Sequence, residues 1–356
     1  MKTDTRLLTA TPADLAAAAD ALKRGDVVAI PTETVYGLAA DALNEDAVRR
    51  IFEAKGRPAD NPLIVHIADR ADWAKLVTEI PPAAAALADA FWPGPLTIIL
   101  PRSPLVPNVT TGDLDTVAVR FPSHPIAQEI IRRSGCVLAA PSANRSGSPS
   151  PTSAAHVMAD LDGKIAAVVD GGRCDVGVES TVITLAGDTP RLLRPGGITP
   201  AMISAVIGEI EIDPAVTAAL TEGQVAASPG MKYKHYAPTA HVTLVTGDAD
   251  AYRRFVNRRA APTDTALCLE EDVPFLPIAT VTYGTRRDPA TQAQGLFDAL
   301  RELDARGATR VLAASPDPDG IGLAVYNRLL RAAGFEVMSG DDECSAGGAD
   351  GTDGRG

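Results

Sequence analysis

Cationic and hydroxyl side chains recur in three short stretches that lie far apart in the sequence. They are AKGRPADNPLIVHI from Ala54, AAPSANRSGSPSPT from Ala139 and RLLRPGG from Arg191. Cations supply charge, hydroxyl and amide groups supply orientation, and glycine lets a backbone approach a ligand closely. No Cys–His or Ser–His nucleophilic constellation accompanies them. The sequence therefore predicts a pocket that positions a polyanion such as a nucleotide.

Each of these residues also has a purely structural interpretation. Lys55 and Arg57 flank a glycine and could point at one anion, but cations at a helix end also offset the helix dipole. Ser142 and Asn144 could bind phosphate oxygens, whereas Ser and Asn in turns commonly bond their own backbone. Arg194 stands at a stiff Pro-Gly-Gly turn that lets a ligand approach. All of these residues are expected at strand ends, where open α/β sheets bind ligands. This common position favours the ligand-binding interpretation over the structural one.

A second group of polar residues lies beside the apolar runs. Arg120 ends the strand-like VAVRF and could clamp a carboxylate or pair with a surface acid. His66 lies within LIVHI, where core packing is the ordinary outcome for an isolated histidine. The hydroxyls of Thr34 and Ser180 could either line a pocket or cap the next element. From the residues alone, these alternatives stay open.

Composition limits the classes of function. The chain has 356 residues, which suits two domains, and a formal net charge of −12. Because phosphate backbones need a basic surface, this charge disfavours strong direct tRNA binding, while a local basic cleft could still draw small anions. Neither the G-x-x-x-x-G-K-[ST] nor the G-x-G-x-x-G phosphate turn occurs. No C-x-x-C pair or apolar span of membrane length occurs either, and we expect a cytoplasmic protein.

Apolar runs alternate with helical patterns through most of the chain, which predicts an α/β (α+β) fold with a large twisted sheet. Residues 1–208 are expected to form the first domain. After residue 208 the composition becomes acidic and Ala-rich and leads into SPGMKYKHYAP, so 209–240 is interpreted as a linker. Residues 241–338 repeat the alternation as a smaller open α/β domain, and 339–356 lack apolar periodicity and predict a disordered tail.

Several motifs together resemble the Sua5/YciO/YrdC family. They are PTETVYGLAADA, the KGRP to NPLIVH stretch, FWPGPLTIIL, VAVRFPSHPIA, AAPSANRSGSPSPT, GVESTVI and LRPGG, and SPGMKYKHYAP resembles the longer, two-domain Sua5 branch. The resemblance covers about residues 10–335. It implies a YrdC-like catalytic domain with a large twisted sheet, a linker that closes over the cavity, and a Rossmann-like C-terminal Sua5 domain.

The resemblance also implies an activity, threonylcarbamoyl-AMP synthesis from L-threonine, bicarbonate and ATP with release of pyrophosphate. Mg2+ would accompany ATP, and no protein-held metal is expected. The product would supply the tRNA threonylcarbamoyl transferase machinery that modifies position 37 of tRNA. The catalytic cations implied are Lys55, Arg57 and Arg194. The ATP contacts implied are Arg57, Asn61, Thr116, Ser142, Asn144, Ser150, Arg194, His235 and Tyr236, with Tyr233 nearby. The L-threonine contacts implied are Thr34, His66, Arg120, Ala140 and Ser180.

Three other hypotheses remain for the sequence alone. The first domain could be an RNA-binding module, although the acidity and the aromatic fraction of 4% count against it. It could be a carbamoyltransferase related to hydrogenase maturation, but the acylphosphatase and Cys-rich zinc segments of that architecture are missing. Finally, the second domain could be the functional part, as a partner-binding or regulatory unit.

Overall fold

The computed structural model describes residues 4–58, 61–219 and 236–341. Within these residues the chain forms one mixed sheet of eleven strands and one parallel sheet of five. The first-domain strands are β1 Arg6–Leu8, β2 Val28–Ile30, β3 Gly37–Asp41, β4 Ile64–His66, β5 Leu96–Pro101, β6 Thr116–Arg120, β7 Leu138–Ala139, β8 Ala167–Val169, β9 Thr181–Thr184, β10 Arg191–Arg194 and β11 Glu211–Ile212. Its helices are α1 Pro12–Lys23, α2 Glu45–Lys55, α3 Arg70–Leu76, α4 Pro82–Phe91, α5 Asn108–Thr111, α6 Pro125–Ser134, α7 Ala154–Leu161 and α8 Pro200–Ile207, followed by a 3-10 turn at Pro214–Val216.

Local signals place the helix ends. The Thr11 side chain accepts the Asp14 amide at the start of α1, Pro12 occupies the first helical position, and Gly25 follows the helix at a φ of 82°. At the end of α2, Gly56 adopts the left-handed conformation at a φ of 61° and turns the chain sharply. The turn at Gly56 is important for the site because it separates Lys55 and Arg57, the two cations of the KGR motif.

The large sheet combines parallel and antiparallel pairs in the order β1-β8-β2-β3-β7-β4-β6-β5-β9-β10-β11. In its centre β4 runs parallel to β6 and antiparallel to β7, so that His66 pairs with both Arg120 and Leu138. On the other side, β5 runs antiparallel to β6 and parallel to β9. The predicted α/β (α+β) class with a large sheet is confirmed, and this pairing brings the distant motifs together.

Sequence patterns did not indicate several short elements. The strands β1, β3 and β11 were missed, because they are short or carry Gly and charged residues at their ends and depend on pairing with distant strands. The segment interpreted as a linker from residue 209 begins as β11, which pairs in parallel with β10 at the edge of the large sheet. Residues 220–235 and 342–356, which include half of that segment and most of the expected tail, lie outside the described residues.

The second domain is an open α/β unit, as predicted. Its strands are β12 His241–Thr246, β13 Thr265–Cys268, β14 Ala279–Thr282, β15 Arg310–Ala314 and β16 Val337–Ser339, all parallel in the order β14-β13-β15-β12-β16. Its helices are α9 Ala249–Arg259, α10 Pro289–Ala305 and α11 Gly322–Ala332, with a 3-10 segment at Glu270–Phe275. This arrangement is Rossmann-like in its layering.

The two domains share an apolar core and polar contacts. Val35 and Val178 of the first domain belong to the hydrophobic cluster of the second. From α10, the Gln294 side chain donates to the Asp175 carbonyl at 2.6 Å. Also from α10, Arg301 donates to the Pro149 carbonyl at 2.6 Å. Apolar packing and hydrogen bonds both join the two domains, so α10 holds the first-domain loops in place.

Gly196→Ala should destabilise the fold where β9 meets the turn after β10. A β-carbon at Gly196 would lie 2.3 Å from the Thr181 nitrogen and 2.6 Å from the Glu179 carbonyl oxygen, so backbone must move. We expect a loss of about 1–3 kcal/mol in the free energy of unfolding, measured by urea denaturation. Gly187→Ala is the control, because its β-carbon meets nothing within 4 Å. Equal stability of the two variants would contradict the close approach.

Candidate active site

A cleft opens between the turn after β2, the end of α2, the ends of β4, β6 and β10, and the loop after β7. Most of the site residues inferred from the sequence line it: Thr34, Lys55, Arg57, His66, Arg120, Ala140, Ser142, Asn144, Ser180, Arg194 and Tyr236. The other lining residues are Val35, Ile64, Pro141, Ser146, Gly147, Ser148 and Glu179. The three separate sequence stretches therefore form one cavity.

The lining is cationic although the chain is acidic. Lys55, Arg57, Arg120 and Arg194 line the cleft, whereas Glu179 is the single carboxylate among the described lining residues. The whole chain carries a net charge of −12. A concave, poorly hydrated surface of one sign concentrates the electrostatic field, so the cleft attracts anions despite the surrounding charge.

Lys55 is a buried cation rather than a solvated helix end. Its side chain donates to the carbonyl oxygens of Ser142 and Asn144, the latter at 2.7 Å, and lies 3.3 Å from Asn144 Oδ1. Burial lowers the pKa of Lys55 well below its ordinary value, and the neighbouring charge of Arg57 acts in the same direction. Lys55 is thus at the end of α2, as expected, but it is not solvated, and α2 places this ammonium against the serine-rich loop that follows β7 (residues 142–148).

The serine-rich loop is held in shape by its own polar groups. The Asn144 amide donates to the carbonyls of Arg145 at 2.7 Å and Ser148 at 2.8 Å. Backbone bonds of this kind were one interpretation of the sequence, and here they leave the loop lining the cleft. Where the described chain resumes at residue 236, within the predicted linker, the Ala237 amide donates to the Gly147 carbonyl at 3.1 Å. Tyr236, at a φ of 63°, lines the cleft beside this contact.

Arg120 occupies one end of the cleft with buried partners. Its guanidinium donates to Thr34 Oγ1 at 2.8 Å and lies 2.7 Å from Glu33 Oε1. Burial alone would raise the pKa of Glu33, but the charge and hydrogen bonding of Arg120 outweigh it, and the pKa of this carboxyl is lowered. An arginine fixed in this way presents a rigid guanidinium, the group best suited to bind a carboxylate in two-point fashion.

His66 lies opposite Arg120 on the neighbouring strand and is 3% exposed. Its Nδ1 is 3.1 Å from the Ile64 carbonyl oxygen, and since a carbonyl can only accept, Nδ1 carries the proton. Burial lowers the pKa of His66 to about 3, with Arg120 acting in the same direction. The imidazole is therefore neutral and serves as a hydrogen-bonding group. The nearby Ala140 amide donates to the Ile64 carbonyl at 3.0 Å.

Arg194 ends β10 and is fixed to the start of β9. It donates from Nε to the Ser180 carbonyl at 3.0 Å and from its terminal nitrogen to Ser180 Oγ at 3.1 Å. Ser180 Oγ in turn lies 2.8 Å from Thr97 Oγ1 on β5. This chain of hydroxyls sets the direction of the guanidinium before any ligand is bound.

Glu179 is the functional residue that sequence reasoning missed. Its carboxylate accepts hydrogen bonds from Ser150 and, at 3.0 Å, from Arg328 Nε on α11. Burial alone would raise its pKa, but Arg328 and then Arg194 outweigh this effect and lower it. The GVESTVI motif directed attention to the adjacent hydroxyls. Nothing in the sequence connects this acid with an arginine so far along the chain.

Three inferred ATP contacts lie outside the cleft lining. Ser150 is one hydrogen bond behind it, through Glu179. Asn61 is fully buried, and its side-chain amide has no hydrogen-bond partner among the described residues. Thr116 begins β6, at the opposite end of that strand from Arg120. Tyr233 and His235 lie outside the described residues.

Two family models together match most of the chain. The Sua5/YciO/YrdC model, described as telomere recombination, matches residues 20–196. A model described as the C-terminal domain of threonylcarbamoyl-AMP synthase matches residues 198–334. The fold and the cleft thus define a two-domain member of the Sua5/YciO/YrdC family, and the chain belongs to that family.

Individual relatives narrow the class further. The chain is 50% identical to the threonylcarbamoyl-AMP synthase of Pyrococcus abyssi, over 90% of this chain and 94% of the relative. It is 49% identical to that of Bacillus subtilis, over 91% and 94%. The crystal structure of P. abyssi Sua5 complexed with L-threonine superimposes with a TM-score of 0.87 at 46% identity, covering 95% of this chain and 99% of that one. Within the family, the chain is of the Sua5-type threonylcarbamoyl-AMP synthase class.

No helix in the described ranges is long and apolar enough to cross a membrane. The same ranges contain no group of three or more His, Cys, Asp or Glu side chains arranged to hold a metal ion.

His66→Gln should flatten the dependence of stability on pH. An unfolded histidine titrates near about 6.5, whereas the folded pKa is lowered to about 3 by burial. Between these values the unfolded chain binds the extra proton, so wild-type stability falls as the pH falls. Lowering the pH from about 7.5 to about 4.5 should therefore reduce the unfolding free energy of the wild type by about 2–3 kcal/mol through His66. The variant should not show this loss. Urea denaturation across this range measures it, and parallel profiles would contradict a buried neutral imidazole.

Proposed function

We propose that this protein makes L-threonylcarbamoyladenylate from L-threonine, bicarbonate and ATP, with release of pyrophosphate. The observation that carries the proposal is a single cleft that joins the Arg120 end to the Lys55 and Arg194 end. One end suits an amino-acid carboxylate and the other a polyphosphate. A reaction that joins an amino acid to a nucleotide requires both ends in one cavity.

The polyphosphate end is built from preorganised donors. Lys55, Arg57 and Arg194 supply positive charge, and the loop from Ser142 to Ser148 supplies hydroxyl and amide groups. We assign the triphosphate to this end because protein hydrogen bonds fix the positions of these charges. Donors that need no reorganisation stabilise developing charge most effectively. Mg2+ enters with ATP as part of that substrate, bound mainly by phosphate oxygens and water.

The amino-acid end is assigned to L-threonine. The P. abyssi structure was determined in complex with L-threonine, and that protein is 46% identical to this chain. In this chain Arg120 offers the cation for the carboxylate, while Thr34 and Ser180 offer hydroxyls within the same cleft. Neutral His66 adds a hydrogen-bonding group without adding a charge that would repel the ammonium of the amino acid.

The chemistry needs no protein nucleophile. The threonine ammonium and bicarbonate give the carbamate, water and a proton, with a new bond between the nitrogen and the carbon of bicarbonate. A carbamate oxygen then attacks the α-phosphorus of ATP, and the bond to the bridging oxygen of pyrophosphate breaks. His66 has too low a pKa to act as the base, so the residues of the cleft act by alignment and charge stabilisation. Excluding water protects the labile carbamate.

The product would pass to the machinery that transfers the threonylcarbamoyl group to position 37 of tRNA. The net charge of −12 disfavours tight direct binding of tRNA by this chain, and a cytoplasmic location would place it beside that machinery.

The direct test incubates the purified protein with ATP, Mg2+, bicarbonate and isotopically labelled L-threonine, followed by rapid chromatography. We expect an adenylate that carries the label and appears only when bicarbonate is present, with one pyrophosphate released for each adenylate. Failure to form it while ATP still binds would overturn the proposed reaction. Salt-dependent binding of RNA without turnover would instead favour an RNA-binding module.

Arg194→Ala should lose activity far more than stability. Removing its guanidinium withdraws charge stabilisation from the cleft, and the rate of adenylate formation should fall at least about a hundredfold. Arg191→Ala is the matched control, because Arg191 lies on the same strand in an exposed ion pair with Glu211. Thermal unfolding would verify that both variants fold. Wild-type turnover by Arg194→Ala would eliminate this residue from the reaction.

A further inference from the structure

Arg328 is a fully buried arginine that the second domain places inside the first. It lies on α11, is 0% exposed, and donates from Nε to Glu179 Oε2 at 3.0 Å. A second nitrogen donates to the Pro195 carbonyl at 2.7 Å, and a third lies 3.3 Å from the Glu179 carbonyl oxygen. One guanidinium thus fixes both segments of the first domain that bear Ser180 and Arg194.

The partner of Arg328 has an unusual position for the acidic half of an ion pair. Glu179 lines the cleft directly, whereas the interdomain pairs Arg301 with Asp160, at 2.9 Å, and Arg173 with Asp298 involve no residue that lines it. A carboxylate in a cavity built for a triphosphate repels the ligand and competes for its cations. The guanidinium of Arg328 cancels that charge from behind the wall.

We propose that Arg328 is a positioning residue for the reaction: it neutralises Glu179 and fixes the Glu179–Ser180 wall so that the cleft presents a net positive surface to ATP. The inference rests on the proposed function, since it assumes that a nucleotide occupies this cleft. The second domain then supplies part of the electrostatics of the nucleotide site. The order of charges that lower the pKa of Glu179, Arg328 before Arg194, agrees with this role.

A purely structural role predicts a different pattern. If Arg328 only fastened the domains together, its loss would weaken all ligands in parallel with stability. Neutralisation predicts a selective loss of ATP affinity, because ATP carries the charge that an uncompensated Glu179 would repel. It also predicts that removing the charge of Glu179 makes Arg328 dispensable. Glu179→Gln keeps an oxygen that can accept the Ser150 hydroxyl, so this change isolates the charge.

The experiment measures the affinities for MgATP and for L-threonine by calorimetry in the full-length protein. Arg328→Met should weaken MgATP at least about tenfold and L-threonine less than about threefold. In the Glu179→Gln background, the same change should alter MgATP affinity by less than about threefold. Arg331→Met is the control, because it removes another buried arginine of α11, one that donates to the Ala215 carbonyl at 2.8 Å and does not line the cleft. This control should bind MgATP as the wild type does.

The outcomes separate the hypotheses. Three results would each overturn the proposal. The first is an unchanged MgATP affinity in folded Arg328→Met, and the second is a double variant that binds MgATP about tenfold more weakly than Glu179→Gln does. The third is a loss of MgATP affinity in Arg331→Met equal to that in Arg328→Met. If Arg328→Met does not fold, the comparison of Glu179→Gln with the double variant decides, because neither leaves a buried carboxylate without its cation. Failure of the wild type to bind MgATP would refute the proposed function instead, so the two failures are distinguishable.

Discussion

Holding several cations together in a buried cleft, before any anion arrives, is the constraint on which this structure depends. Cations in a poorly hydrated cavity repel one another and lose hydration, and both effects oppose folding. The chain offsets these costs with oxygen atoms, most of them uncharged: carbonyls for Lys55, the carbonyl and hydroxyl of Ser180 for Arg194, and Thr34 beside Glu33 for Arg120. The favourable charge therefore remains for a ligand.

The same constraint explains the mixed sheet. The cations come from motifs far apart in sequence, and they meet only because β4, β6 and β7 pair in a fixed register and β9 joins β5. A shift of one residue in β6 would turn Arg120 to the opposite face and remove it from the cleft. The large apolar core above and below the sheet fixes this register, so the core determines the position of each charge.

The sequence predicted what is encoded locally. Helix α4, Pro82–Phe91, is such an element, because a proline marks its start and its apolar pattern is continuous. The cations were found because they stand in dense motifs with Gly and Pro. The edge strand β11 and the pairing of β10 were missed, since two to four residues with charged ends carry no periodic signal. The burial of Lys55 was equally hidden, because it depends on the position of a loop from elsewhere in the chain.

Glu179 and Arg328 show the limit of motif-based inference most sharply. The first-domain motifs contain every cation that lines the cleft, and they also contain the one lining carboxylate found among the described residues. Its countercharge comes from Arg328 on α11, which follows the linker. An arginine in an amphipathic helix is ordinarily predicted to lie at the surface. The net charge that a ligand meets is thus a property of both domains. It follows that the two domains form one electrostatic unit, and that the motifs of the first domain alone do not define the charge of the cleft.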